Sequence, residues 1–407
     1  MILNRKLSIL SVTSELPWPL DTGGKLRTFH IHRALAEEFH VRLIVPVDCI
    51  NEEHVGILRQ HGIHAVPVVT GGRNTFSESF KALQSALYRL PYVLYRRHDH
   101  AKVKKQILAS ALETAPDVLY LDHLDSHLYR NLLPACPAIL DLHNVYSLIV
   151  ERYAIEQSNP LKKFYFQHET KLLQSIERSL ADTICTIFAV SDSEVQFYQK
   201  LGVRSVQLIP NGVDCSQFAQ LPCGRNASQN KLLFLGTMSW GPNAEAASVL
   251  IEQIFPEVKR QRPDAELWIV GRNPPSQLLK HHEVNGVHVT GGVPDIVPYY
   301  KNADMLVVPL ESGGGTRLKI LEAFAAGLPV ISTPIGVEGI NAQCNVHLVI
   351  THREQFAKTI LDMMNQPQLG QQLSINARKL VEEQYDWKSI GKQAARNIHL
   401  QLQAARA

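Results

Sequence analysis

The chain has 407 residues, 45% hydrophobic and 19% charged, with 41 Lys and Arg against 38 Asp and Glu for a net charge of +3. That length exceeds one ordinary core and suggests two domains of about 200 residues each. So mild a positive balance gives no argument for nucleic acid as a partner. The six cysteines (Cys49, Cys136, Cys185, Cys215, Cys223, Cys344) show neither a CxxC pair nor metal-ligand spacing, so they are expected as buried, reduced thiols. His30, His32, His281 and His282 lack the context of a zinc site and are expected on the surface or in loops.

Arg5 and Lys6 precede an apolar run, Leu7 to Val12, that is too short for a signal segment and reads as a first strand. No apolar stretch approaches the ~20 residues that span a bilayer, so a cytoplasmic protein is expected, in contact with the inner membrane face at most. Strands are expected at 7–13, 41–47, 63–69, 117–121, 137–142, 184–190 and 205–209. A helix is expected over Lys25–Phe39 and a long helical segment over Ser147–Leu180. After Pro210-Asn211-Gly212 and a polar stretch to Asn230, strands recur at 232–236, 265–270, 286–290, 303–308, 328–332 and 346–350. Two helical segments from Glu354 to about Gln403 close the chain. This alternation implies an α/β protein with two Rossmann-like domains, each a parallel sheet covered by helices, facing across a cleft.

Two glycine turns open onto cationic helix starts. The first is Asp21-Thr22-Gly23-Gly24-Lys25-Leu26-Arg27, where Gly23 and Gly24 allow close backbone approach to a ligand. Lys25 and Arg27 oppose the helix dipole there, a penalty that a bound anion reverses. The second, Gly313-Gly314-Gly315-Thr316-Arg317-Leu318-Lys319, follows the strand 303–309 and offers a nest of N–H donors for phosphate. Lys319 and Glu322 share a helix face with Ala323 and Ala326, small residues expected to leave room for a ligand.

At this second turn the chain resembles family 4 retaining glycosyltransferases, which have the GT-B fold. GGGTRLKILEAFAAGLPVISTPIGVEGI (313–340) is similar to their donor-binding signature. LPWPLDTGGKLRTFHIHRALAEEFHVRLI (16–44), DLHNVYS (141–147), IPNGVD (209–214), FLGTMSWGPNAEA (234–246) and VTGGVPDIVPYY (289–300) extend the likeness over almost the whole chain. The resemblance implies an acceptor-binding domain at 1–210, a nucleotide-sugar-binding domain at 211–385, and a final helix at 386–407 crossing back to the first. Glu322 would hold the ribose hydroxyls. Gly314, Gly315 and Thr316 would cradle the pyrophosphate, with Arg317, Lys319 and Arg272 neutralising its charge. Gly236 and the Gly292–Val293 loop complete the donor site, the latter against the base. His143, with Arg317 and Lys319, would act catalytically beside the donor sugar. Gly23, Gly24, Lys25, Arg27, Arg96, Arg97, Asp141 and His143 would face the acceptor. Two positions depart from the family pattern: Gly314 stands where many members carry a glutamate, and no lysine follows Gly236.

The expected reaction is transfer of a hexose from a nucleoside diphosphate sugar, UDP favoured over GDP or ADP, with retention and without a metal or other cofactor. Positioning and charge stabilisation of the leaving diphosphate would supply catalysis. A nucleotide-sugar 2-epimerase, for which Asp141 is the one candidate carboxylate, and a non-catalytic nucleotide-sugar binding protein are the rival readings. The acceptor is expected to be a soluble or lipid-linked glycan, or a small sugar phosphate as in sucrose-phosphate synthases. For the lipid-linked case, residues 73–105 carry Arg73, Lys81, Arg89, Arg96, Arg97, Lys102, Lys104 and Lys105. Phe76, Phe80, Leu83, Leu87 and Leu90 add an apolar stripe, a combination that suits anionic lipid.

Overall fold

The computed structural model describes residues 5–71, 85, 90–92, 94–224, 230–313 and 315–406. Two compact units divide the chain, Met1–Pro210 with Ile390–Ala407, and Asn211–Ser389.

The first unit holds a seven-stranded sheet in the order β3-β2-β1-β4-β5-β6-β7. Its strands are β1 (Ser8–Val12), β2 (His40–Val47), β3 (His64–Val69), β4 (Val118–Asp122), β5 (Ala138–Asp141), β6 (Thr186–Ala189) and β7 (Val206–Leu208). All neighbours pair in parallel. Parallel strands are covered on both faces, which is why β4 and β5 are buried at every residue and read as apolar runs up to their terminal Asp122 and Asp141. Its helices are α1 (Gly23–Glu38), α2 (Glu52–Gln60), α3 (Ala101–Thr114), α4 (Tyr146–Glu156), α5 (Pro160–Thr183) and α6 (Asp192–Lys200).

The second unit holds a six-stranded parallel sheet in the order β10-β9-β8-β11-β12-β13. Its strands are β8 (Lys231–Leu235), β9 (Glu266–Val270), β10 (Val287–Gly291), β11 (Met305–Val308), β12 (Val330–Ser332) and β13 (Val349–Ile350). Its helices are α7 (Gly241–Val249), α8 (Phe255–Gln261), α9 (Ser276–Leu279), α10 (Val297–Asn302), α11 (Leu318–Ala325), α12 (Phe356–Asn365) and α13 (Pro367–Gln384). The last helix, α14 (Trp387–Arg406), starts in this unit and continues into the first. There Gly391 packs so closely on α1 that a Cβ would stand 2.2 Å from Ala34 Cβ. The ring of His399 stacks on Phe39 at 4.6 Å.

Each expected strand is present, whereas three helical stretches differ from expectation. Helix α1 starts two residues early, at Gly23, because the Thr22 hydroxyl caps it by accepting from Lys25 N. The long segment after residue 146 breaks into α4 and α5: Pro160 cannot continue a helix from before it, and Asn159 caps the new one. Pro367 likewise splits the C-terminal region, which forms three helices rather than two.

In both sheets the chain reverses its direction of strand addition once, between β1 and β4 in the first and between β8 and β11 in the second. Loops at the carboxyl ends of such strand pairs diverge and leave a crevice.

Candidate active site

In the first unit the crevice at β1 and β4 is built around a buried carboxylate. Asp122, the last residue of β4, accepts from the Thr13 hydroxyl at 2.6 Å, the Thr28 hydroxyl at 2.7 Å and His143 Nε2 at 2.9 Å. Two histidine rings close by, those of His123 and His143, hold its pKa well below the usual carboxylate range against the opposing effect of burial. With Nε2–H committed to Asp122, the neutral His143 ring presents Nδ1 as an acceptor. Burial, reinforced by the neighbouring His123, lowers the His143 pKa and favours that neutral form. A Cβ on Gly24 would lie 3.7 Å from this Nδ1 and 3.4 Å from His123 Cε1, so the glycine keeps open the space that both rings face.

His123 was not singled out by the sequence. Its backbone lies at φ 70 and ψ 155, a region nearly reserved for glycine. Its ring lies 3.7 Å from that of His143, and its Nε2 is buried without a hydrogen-bond partner among the described residues. Asp122, His123 and His143 bring one ligand atom each within 4.8 Å of one another. Asp122 already accepts three hydrogen bonds, one of them from His143. These contacts link Thr13, Thr28 and His143 through Asp122 in one hydrogen-bonded relay.

Arg27 and Asp141 leave the acceptor set. Arg27 is fully buried; its Nε and Nη2 donate to Asp141 Oδ1, and its Nη1 to the carbonyls of Ile209 and Pro210. Asp141 also accepts from the Tyr120 hydroxyl at 2.7 Å. The helix placed Arg27 on its inner face, where it ties β5 to the end of the unit and cannot meet a ligand. The only carboxylate offered for an epimerase is thus already consumed. Lys25 does face outward, paired with Asp21 at 2.9 Å. With Arg97, Trp18, His54, His100 and Glu15 it lines a cavity of about 550 Å³. Arg73, Lys81, Arg89, Phe76, Phe80, Leu83 and Leu87 lie outside the described residues, as does the side chain of Arg96.

Two other expectations are corrected in this unit and the next. His30 and His32 are buried, and His32 is satisfied by Ser11 Oγ and the Thr28 carbonyl. The cysteines are all free, but none is fully buried.

In the second unit the loops after β8, β9 and β10 are laced together by main-chain bonds. Gly236 N donates to the Val270 carbonyl, Met238 N to that of Arg272 and Gly271 N to that of Gly291. A Cβ at Gly271 would fall 1.7 Å from the Gly236 carbonyl oxygen, so only glycine permits this approach. Arg272 lies across Gly292, and Val293 lines an apolar cavity of about 520 Å³ with Trp268 and Tyr299.

Across the switch point from Gly236, the glycine turn after β11 leads into α11. Gly313 and Gly315 have φ of 111° and 76°, and Gly314 lies outside the described residues. Thr316 Oγ1 is shut off from solvent with no partner among the described residues. Arg317 takes the N-cap position and folds back onto the Gly315 carbonyl. Lys319 Nζ donates to Asn243 Oδ1 at 2.9 Å and lies 4.2 Å over the Phe234 ring. Burial, and then repulsion from Arg317, pull its pKa down to about 7. Glu322 accepts from the Tyr300 hydroxyl at 2.7 Å, and burial raises its pKa against the pull of Tyr300 and Lys319. Ala323 and Ala326 are fully buried in the core, whereas Lys319 and Glu322 are only partly covered.

Comparison with known proteins places this arrangement. Residues 26–217 match the family described as Glycosyltransferase Family 4, and residues 229–366 match Glycosyl transferases group 1. An uncharacterized 44.6 kDa protein in the cps region of Klebsiella pneumoniae is 22% identical over 94% of this chain and 97% of its own. The phosphatidyl-myo-inositol mannosyltransferase of Mycolicibacterium smegmatis is 24% identical over 63% of this chain and 70% of its own. Among solved structures, sucrose-phosphate synthase from Thermosynechococcus elongatus superposes with a TM-score of 0.71 at 16% identity, covering 98% of this chain and all of that one. Anabaena HepE in complex with UDP and glucose gives 0.65 at 15% identity, covering 97% and 99%. With two parallel-sheet α/β units of the GT-B type, a glycine turn at each switch point and both halves matched, this chain belongs to the family 4 glycosyltransferases.

Proposed function

We propose that the protein transfers a hexose, with retention of anomeric configuration, from a nucleoside diphosphate sugar to a glycan, lipid-linked or small sugar acceptor. The observation that carries this reading is the pairing of Lys319 with Asn243 beside Gly236 and the Gly313–Arg317 turn. A lysine whose charge is suppressed by burial at the start of this helix regains that charge when a diphosphate arrives. Thr316 Oγ1 and the turn's N–H groups would bind the phosphates, Arg317 and Lys319 would neutralise the departing charge, and Glu322 would take the ribose hydroxyls. Arg272, Gly292 and Val293 would border the base. UDP is favoured as the nucleotide because HepE, one of the similar structures, is a complex with UDP and glucose.

His143, held by Asp122, would accept a hydroxyl of the donor sugar through Nδ1, with His123 beside it. Gly23 and Gly24 leave room for the reacting centre, and the cavity lined by Lys25 and Arg97 would take the acceptor. Its mixture of cations with Trp18 suits an anionic or phosphorylated sugar. Transfer would need no metal ion, since the leaving group's charge is met by Arg317 and Lys319 and the leaving phosphate takes the acceptor's proton.

The test is incubation with UDP-, GDP- and ADP-sugars in the presence of chelator, followed by NMR of the product's anomeric centre. Retained configuration with a UDP-sugar is expected. An inverted product removes the retaining mechanism, and nucleotide binding without transfer to any sugar acceptor favours the non-catalytic reading.

A further inference from the structure

The hairpin of α4 and α5 carries a patch that the donor and acceptor chemistry leaves unused. Leu161 is 82% exposed, Phe164 73% and Ile155 68%, with Tyr153 and Tyr165 also open to solvent. Scattered exposed apolar residues are ordinary; five within thirteen positions at one helical turnaround are not. The base of the hairpin is anchored, since Glu177 accepts from Ser147 N and Ala154, Glu169 and Thr170 are buried. Beyond that base, Tyr153 and Phe166 meet edge to face at 4.8 Å and brace the two helices, so the tip is an ordered surface.

The balance of charge on this tip says what covers it: among the described side chains Arg152, Lys162 and Lys163 are exposed against Glu151. Lys162 and Lys163 occupy the first turn of α5, directly after the Asn159 cap, and both are exposed. Cations at a helix N-terminus oppose the dipole, and no acidic residue sits in that turn to offset them. A negatively charged surface reverses this penalty. Apolar and aromatic side chains flanked by lysines, on helices polar elsewhere, are the features of a segment that lies in a bilayer interface. Among the described residues no helix is long and apolar enough to cross a membrane, so the contact is peripheral.

We propose that the α4–α5 tip docks this protein onto an anionic lipid bilayer, with Leu161, Phe164 and Ile155 entering the headgroup region and Lys162 and Lys163 meeting lipid phosphates. The inference does not depend on the sugar chemistry, and its test uses none. The full chain is floated with vesicles of phosphatidylcholine alone and of phosphatidylcholine mixed equally with phosphatidylglycerol. Wild type should float with the anionic vesicles, less so at high salt. Leu161→Ser/Phe164→Ser and Lys162→Glu/Lys163→Glu should each weaken the partition by about tenfold or more at an unchanged melting temperature. A protein that stays unbound on anionic vesicles overturns the proposal, as do variants that float like wild type. Light scattering provides the competing outcome. A wild-type dimer that the same substitutions dissolve, with no vesicle binding, would make the tip a contact between copies of this chain.

Discussion

Arg27 and Asp141 stand 114 positions apart in the chain and form an ion pair whose side chains are 0% and 1% exposed. Nη1 of the guanidinium donates to the main-chain carbonyls of Ile209 and Pro210. Removing one member leaves the other charged and dry, so Arg27→Ala should destabilise the first unit by about 3–5 kcal/mol. The folded fraction of the variant should keep its affinity for donor nucleotide. Chemical denaturation measures the first quantity and calorimetry with UDP the second. An Arg27→Ala protein of wild-type stability with a raised KM for acceptor would return this residue to the acceptor site.

Lys319 should take up a proton when nucleotide binds. In the free protein its pKa is about 7, well under the ordinary 10.5, so near pH 8 it is mostly neutral. A diphosphate beside it favours the charged form and draws a proton from buffer, whereas near pH 6 the amine is already charged and uptake vanishes. Titrating UDP in buffers of different ionisation enthalpy reads this directly, and Lys319→Met should abolish it. The same shift acts on folding with a definite sign. Between about 7 and 10.5 the unfolded chain holds the proton that the native protein has lost, so this group's contribution to stability rises with pH across that window.

Glu322→Gln should weaken UDP binding by about 10- to 100-fold, the loss of hydrogen bonds from ribose to a charged acceptor. Because the amide can still accept from the Tyr300 hydroxyl at this position, stability should change little. Deoxy-UDP analogues supply the control: wild type should discriminate against them and Glu322→Gln should not. Equal affinity of mutant and wild type for UDP would remove the ribose assignment.

Asp122→Asn tests the relay. Asp122 raises the His143 pKa against burial and His123, which lower it. The turnover of wild type should fall in acid as His143 protonates and Nδ1 ceases to accept. Replacing the carboxylate removes the charge that stabilises the imidazolium, so the acid limb should move to lower pH while kcat itself drops. UDP affinity should be unaffected, since the relay lies in the other unit. An acid limb that stays in place in Asp122→Asn means that a different group sets it.

Much of this was legible from residue types because the physics was local. Parallel strands buried on both faces become apolar runs, and the turn Gly313–Arg317 needs glycine whatever surrounds it. What escaped was decided by contacts between distant segments. Arg27 carries the same charge as Lys25 two residues earlier, yet the helical phase turns one inward to Asp141 and the other outward to Asp21. Ala323 and Ala326 are small because they pack on the core; spacing alone cannot tell a packed small residue from one that makes room. His123 had no signal in its neighbourhood, since its distinction is a backbone angle that only the folded loop after β4 imposes.

That angle gives the final prediction. At φ 70 and ψ 155, a side chain costs of order 1–3 kcal/mol relative to glycine. His123→Gly relieves this strain and adds back about 1 kcal/mol of unfolded-state entropy, so it should be as stable as wild type or slightly more so. His123→Ala keeps the strain and loses the ring contact with His143, so it should be the least stable of the three. Both variants should lose turnover, by about tenfold or more, because the ring that faces the space beside Gly24 is gone. Melting temperatures and kcat on the same three preparations separate strain from chemistry. A glycine variant less stable than the alanine one shows that the loop is not strained at this residue. A glycine variant that gains stability and keeps full turnover shows that His123 is held there for something other than sugar transfer.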